Sequence, residues 1–231
     1  MSATLSAMCG RFVQAHDATE YAEHLGAAPS LSESLAPSWN VAPTDQVYAV
    51  AEHDGARLLG TFRWGLIPWF AKDMKIGARQ INARAETVHT KASFKESFIG
   101  RRCIIPVDGF FEWERKESGG KLPHYVLRKD GSPLTLAGLW ASWRNEDGER
   151  ITSCTVITTG PNELLSPIHD RMPVVLTEDR WNDWLDPGFE DVEVLRSMLV
   201  PLDASQMAEY PVSTLVNKVA NNYPECIEEL R

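Results

Sequence analysis

The sequence predicts a single α+β domain whose main body is an antiparallel β-sheet, open or closing on itself. Three observations carry this. Between residues 46 and 158, short runs rich in β-branched and aromatic residues recur between tight-turn signals, which is the spacing of hairpins rather than of βαβ units. Helical periodicity is confined to about 17–25, 178–185 and 190–199. No internal repeat, low-complexity tract or Pro/Gly/Ser linker divides the 231 residues, a length over which one domain can bury a substantial core.

In chain order, Asp17 with Glu20 three residues later is a capping-box pattern, Tyr21 and Leu25 share a helical face, and Gly26 is a stop, giving the first helix. Residues 27–45 are rich in Ser and Pro but contain Trp39-Asn40-Val41-Ala42-Pro43, which reads as an ordered loop. Runs 46–52 and 57–64 flank His53-Asp54-Gly55-Ala56, an Asp-Gly hairpin signal. A second hairpin is expected from 110–115 and 124–128 around Ser118-Gly119-Gly120. Lys129-Asp130-Gly131-Ser132 then turns into an apolar run over 134–140, and Asn145-Glu146-Asp147-Gly148 turns into 151–158. Asp186-Pro187-Gly188 breaks the last two helices.

Composition narrows the function classes. Hydrophobic residues make up 43% and charged residues 24%, as in a globular soluble protein. No apolar run approaches the ~20 residues that span a bilayer, and residues 1–8 lack the basic start and apolar stretch of a secretory signal. A cytoplasmic location and no membrane partner are therefore expected. The four cysteines, Cys9, Cys103, Cys154 and Cys226, show no C-x-x-C spacing, so no metal and no disulfide framework is expected. Nor does any motif call for a cofactor. A net charge of −9 counts against a protein that coats nucleic acid generally. It leaves room for a local basic groove, and cations concentrate at Arg79, Arg84, Lys91, Lys95, Arg101 and Arg102.

Several stretches carry chemistry. In Met8-Cys9-Gly10-Arg11-Phe12, removal of the preceding peptide would give Cys9 a thiol and a free α-amine on adjacent carbons, a pair that converts an aldehyde through a Schiff base into a five-membered thiazolidine. The amine titrates near ~7.7–8.0 and the thiol near ~8.5, so both have reactive fractions at neutral pH. The alternative is an ordinary core cysteine on a first strand. Trp64-Gly65-Leu66-Ile67-Pro68-Trp69-Phe70 puts aromatics in an irregular segment, either as a stacking surface for bases, worth ~1–3 kcal/mol each, or as a plug for the core. In Ile81-Asn82-Ala83-Arg84-Ala85-Glu86-Thr87, extended backbone would direct Asn82 and Arg84 to one side, toward a sugar or phosphate oxygen or toward a salt-bridged surface. Glu112, among Phe110, Phe111 and Trp113, is a candidate acid–base whose pKa burial would raise, unless its head reaches water. His169, in Ser166-Pro167-Ile168-His169-Asp170-Arg171-Met172-Pro173, is a candidate proton-transfer group that Asp170 or Arg171 could orient.

Taken together, Cys9-Gly10-Arg11-Phe12, Trp39 to Pro43, Trp64 to Pro68, Asn82 to Thr87, Asp108-Gly109-Phe110-Phe111-Glu112-Trp113 and His169 to Pro173 resemble the SRAP family of abasic-site processing proteins, in the family's order, from Cys9 to about Asn217. The resemblance implies an antiparallel, barrel-like sheet with peripheral helices, forming one domain over residues 9–231. It implies a monomer that binds abasic sites in single-stranded DNA, including single-strand/double-strand junctions, and is associated with the nucleoid when so bound. It also implies a covalent crosslink through Cys9, with crosslink reversal, AP-lyase activity and autoproteolysis attached to the same site. Asn82, Glu112 and His169 would complete the catalytic set. Arg11, Arg84 and Arg171 would meet phosphates, and Asn40, Trp64, Pro68, Trp69, Phe70 and Trp113 would make further DNA contacts. The departure is residues 1–8, since the family's cysteine follows the initiator Met; either translation starts at Met8 or the extension is removed. Two rivals remain: an N-terminal-nucleophile cysteine amidohydrolase, which gives the aromatic loop no role, and a non-covalent single-strand binder, which gives Cys9 none.

Overall fold

The computed structural model describes residues 9–230; the extension expected over residues 1–8 lies outside them. The described elements are β1 (Phe12–Gln14), α1 (Ala18–Leu25), β2 (Ala28–Pro29), β3 (Ser38–Val41), β4 (Gln46–His53), β5 (Ala56–Trp64), β6 (Asn82–Arg84), α2 (Lys95–Gly100), β7 (Arg102–Val107), β8 (Gly109–Arg115), β9 (Lys121–Arg128), β10 (Leu134–Arg144), β11 (Arg150–Thr159), β12 (Met172–Pro173), α3 (Trp181–Leu185), α4 (Val192–Ser197) and β13 (Met207–Pro211), with short 3-10 turns between some of them.

The core is a closed five-stranded barrel. Strand β4 pairs with β5 and β7, β7 with β10, β10 with β11, and β11 returns to β5. The closing contact is parallel, Ser153 opposite Arg63 and Cys154 opposite Trp64, so the barrel is mixed rather than wholly antiparallel. Tight turns dictate antiparallel neighbours, as at Asp54 and Gly55, whose φ values of 51° and 77° give the Asp-Gly turn of the β4–β5 hairpin. Turns are silent about strands far apart in sequence. Beyond the point where β5 leaves β11, β6 takes its place, with Asn82 opposite Val156 and Arg84 opposite Thr158.

A second sheet, in the order β13-β9-β8-β1-β3, lies over the barrel. Its alternation puts Phe12, Phe110 and Val126 into a cluster with the barrel residues Val47, Trp64, Ile105 and Cys154. Val13, Phe111 and Tyr125 point the other way, toward Val212, Val216 and Cys226. Outside the barrel, α1 carries the expected capping box. Asp17 Oδ1 accepts from the Thr19 and Glu20 amides at 2.7 and 2.9 Å, and the Asp17 amide donates to the Glu20 carboxylate at 2.9 Å. Tyr21, Leu25, Trp184 and Leu195 bury the helices against the sheet.

Among the elements that the sequence did not signal are β2, β12, β13 and β3, where an ordered loop was expected, and two more have plain physical reasons. Strand β7 is buried at all six positions, so it has no polar alternation to read. Helix α2 starts at Phe94 without a side-chain cap. Buried Arg102 ties both to α3. It donates from Nε to the Trp184 carbonyl at 2.7 Å and from Nη1 to Phe98 at 2.9 Å, with further bonds to the carbonyls of Ile99, Asp186 and Phe189. No described helix is long and apolar enough to cross a membrane.

Candidate active site

The site forms where the second sheet packs against the barrel. On β8, Glu112 lies two residues from Phe110 and therefore on the same, barrel-facing side. It is 1% exposed. Its Oε1 accepts a hydrogen bond from the backbone nitrogen of Cys9 at 2.7 Å. Burial pushes the Glu112 carboxyl up to about 8. The amides of Cys9 and Trp113 and the charge of Lys121 pull back against that rise, and Asp170 adds to it. Cys9 is fully buried in the same cluster as Phe110, and burial, with the Glu112 charge second, holds its thiol well above the ordinary range. The Cys9 φ of 33° lies in the left-handed region that L side chains seldom adopt. From β6, Asn82 Nδ2 reaches the Cys9 carbonyl at 3.5 Å, while Ala83 between Asn82 and Arg84 is buried, as extended backbone requires.

His169 sits in the loop before β12. Its Nδ1 accepts the Arg171 amide at 3.1 Å. Asp170 Oδ1 also lies 3.1 Å from that nitrogen, but Asp170 is largely exposed and an acceptor nitrogen cannot donate to it as well, so the Arg171 backbone is what orients the ring. The neighbouring Ile168 and Met172 pack in the Cys9 cluster, and Asp170 is close enough to Glu112 to perturb it. The loop therefore closes the same site. Trp113, on the outer face of β8, donates from Nε1 to Asn217 Oδ1 at 2.8 Å. It walls two adjoining hollows. One, of about 420 Å³, is lined by Gly10, Arg11, Pro43, Lys121 and Asn217. The other, of about 380 Å³, is lined by Arg115 and Ser166 to Asp170.

The remaining residues divide. Trp69 and Phe70 stand 61% and 47% exposed, edge-to-face with centroids 5.7 Å apart. Arg84 is exposed as well. Arg171 donates to both Glu86 oxygens, at 2.5 and 3.0 Å, and to the Thr158 carbonyl at 2.6 Å, so a phosphate would have to compete with that pair. Arg11 donates to Asn40 Oδ1 at 2.7 Å and to the Val216 carbonyl at 2.9 Å. Three of the expected DNA contacts, Trp64, Pro68 and Asn40, lie beneath the surface. Trp64 is 0% exposed, packed 4.5 Å from Phe12 and bonded from Nε1 to the Ile81 carbonyl. Pro68 is buried. Asn40, 2% exposed, gives its amide to the carbonyls of Val216, Lys218 and Asn221 and so holds Arg11 in place.

Sequence reading passed over the feature that fixes the aromatic loop. Gly65 and Gly77 touch backbone to backbone, so that a Cβ on either would come within 2.5 Å of the other's carbonyl oxygen. The glycine at position 65 was the readable part of that signal, and the structure gives it a φ of 124° that favours glycine. Asn217, Lys121 and Arg115 were also passed over, being common surface residue types at ordinary spacing. Among the described residues no group of His, Cys, Asp and Glu is arranged to hold a metal.

The chain is 44% identical over 222 residues to the abasic site processing protein YoqW of Bacillus subtilis (strain 168), covering 96% of this chain and 99% of that one. It is 33% identical over 229 residues to YedK of Escherichia coli (strain K12), with the same coverage, and 34% identical over 227 residues to HMCES of Xenopus tropicalis, covering 85% of this chain and 67% of that one. A crystal structure of a protein from Bacteroides thetaiotaomicron superposes with a TM-score of 0.87 at 28% identity, over 96% of this chain and all of that one. Residues 8–219 match the family described as SOS response associated peptidase (SRAP), and the chain belongs to that family.

Proposed function

We propose that this protein processes abasic sites in single-stranded DNA by capturing the ring-opened sugar aldehyde on Cys9 as a thiazolidine. The relatives at 33–44% identity named abasic site processing proteins support this reading. The observation that carries it is the 2.7 Å contact between the Cys9 nitrogen and the buried Glu112 carboxyl. Once residues 1–8 are removed, that nitrogen is a primary amine at the head of the chain. It adds to the aldehyde carbon to give a carbinolamine. Protonated Glu112 passes its proton to the hydroxyl, which leaves as water, and an iminium forms beside a carboxylate. That carboxylate takes the thiol proton, and sulfur adds to the iminium carbon to close the ring. Because the thiol is held protonated, sulfur acts second, when Glu112 has become the local base.

The same iminium can lose the 3′-phosphate by β-elimination, a step for which His169 is the nearby proton carrier. The left-handed φ at Cys9 exists only while a residue precedes it, so scission there, by Cys9 itself or otherwise, relieves local strain. Trp69, Phe70 and Arg84 supply the contacts to a single strand or to the end of an adjoining duplex.

The experiment compares protein beginning at Cys9 with its Cys9→Ala variant on an abasic oligonucleotide. A heat- and denaturant-stable adduct is expected only with cysteine, while Cys9→Ser leaves at most a reducible Schiff base. Equal adduct yields from the cysteine protein and the Cys9→Ala variant would sink the thiazolidine step, binding without adduct from either would leave a non-covalent binder, and hydrolysis of glutamine-like amides without adduct would leave an amidohydrolase.

A further inference from the structure

In the β8–β9 hairpin, Arg115 stands directly opposite Lys121. Strand alternation puts both on the outer face with Trp113, two residues from Arg115. Like charges directly opposite in an antiparallel ladder are destabilising, and the rest of the protein handles such pairs by occupying them. At the β10–β11 hairpin, Arg144 also faces Arg150, but there Arg150 Nε donates to Ser142 Oγ at 2.6 Å and Arg144 Nη1 to the Gly148 carbonyl at 3.1 Å. Elsewhere on the second sheet, Lys116 is paired with Glu114 and Arg128 with Asp130. Arg115 and Lys121 have neither an ion pair nor a side-chain hydrogen bond among the described residues, in a chain of net charge −9 with acid to spare. A local rule broken without compensation marks a site where something outside the chain supplies the compensation.

The surroundings say what kind of group that is. Lys121 lines the hollow beside Gly10 and Arg11, and Arg115 lines the hollow beside His169. Trp113 is the shared wall. A strand laid across the Trp113 indole would thus meet one unpaired cation on each side, with the Cys9 end of the site and the His169 loop beneath it.

We propose that Arg115 and Lys121 form a two-point clamp for successive phosphates of the single strand, so that the nucleotide between them is presented to Cys9. This rests on the function proposed above. A guanidinium and an ammonium at fixed separation suit a polyanion whose charges repeat along its length, and Trp113 between them offers a stacking face indifferent to base identity.

The test uses protein beginning at Cys9 and a single-stranded oligonucleotide carrying a tetrahydrofuran site, which has no aldehyde and reports binding alone. Affinity is measured against potassium chloride concentration for the wild type, Arg115→Gln, Lys121→Gln, the double variant and Lys129→Gln, which removes a cation just beyond the opposite end of β9. Each clamp substitution should flatten the log–log salt slope by about 0.7, and the pair together by about 1.4, as expected for one phosphate contact each on a single strand. Lys129→Gln should leave the slope unchanged. A double variant with the wild-type slope overturns the clamp while leaving the proposed function standing. Equal flattening by Lys129→Gln overturns it too, since the effect would then be general charge. A wild type that binds no oligonucleotide overturns both readings.

Discussion

Replacing Glu112 by Gln tests the buried acid without reference to DNA. The carboxyl is 1% exposed and its pKa rises from 4.5 to about 8 on folding. Below pH 4.5 the group is protonated in both states and costs nothing. Between 4.5 and 8 the unfolded chain releases its proton and the folded chain keeps it, so stability falls as pH rises, by up to about 1.4 kcal/mol per pH unit. From pH 5 to pH 8 the loss is on the order of 3 to 4 kcal/mol. Glutamine can still accept the Cys9 hydrogen bond through its amide oxygen but does not titrate, so Glu112→Gln should lack this loss. Urea unfolding followed by tryptophan fluorescence, with residues 1–8 retained, should show two stability curves that diverge by several kcal/mol across this window. Any fixed offset from the amide's own contacts does not affect the divergence. In protein beginning at Cys9, the freed ammonium beside the carboxyl favours its charged form, and the divergence should shrink. Curves that run parallel from pH 5 to pH 8 in the longer protein would refute the raised pKa, and with it the use of Glu112 as a proton donor at neutral pH.

Arg102→Met should leave the backbone carbonyls of Phe98, Ile99, Trp184 and Phe189 without a donor, while the Asp186 carbonyl keeps the Phe189 amide. At ~1–3 kcal/mol for each buried group left unsatisfied, the loss of stability in urea should be at least about 3 kcal/mol after relaxation. Trp69→Ala removes a ring that is 61% exposed, so stability should change by less than about 0.5 kcal/mol. Binding to abasic single strand should weaken by about 1–3 kcal/mol, with the salt slope kept. Gly77→Ala forces a Cβ to within 2.5 Å of the Gly65 carbonyl oxygen and should displace the aromatic loop. Its effect on binding should therefore shrink in a Trp69→Ala background and vanish in a Trp69→Ala, Phe70→Ala background, and additive losses would show that the loop is not held this way.

What the sequence determined by itself is what local chemistry determines. The capping box of α1, the Asp-Gly turn between β4 and β5, the second hairpin and the helices near 178–199 follow from neighbours a few residues apart, and they appear where those neighbours put them. Glu112 and His169 stood out as candidates from local context, a carboxyl among aromatics and a histidine between prolines, whereas their grouping with Cys9 and Asn82 came from the resemblance to the SRAP family. Tertiary structure alone decided their relations. The parallel β11–β5 contact that closes the barrel joins strands that no turn connects. The 2.7 Å contact between Cys9 and Glu112 spans 103 positions, and only the pairing of β1 with β8 brings them together. The two exposed rings, Trp69 and Phe70, could not be told from buried Trp64 by composition. Trp64 ends a barrel strand, whereas Trp69, close by in sequence, lies beyond the Gly65–Gly77 contact, and burial is a property of where the chain has gone rather than of the residue it carries.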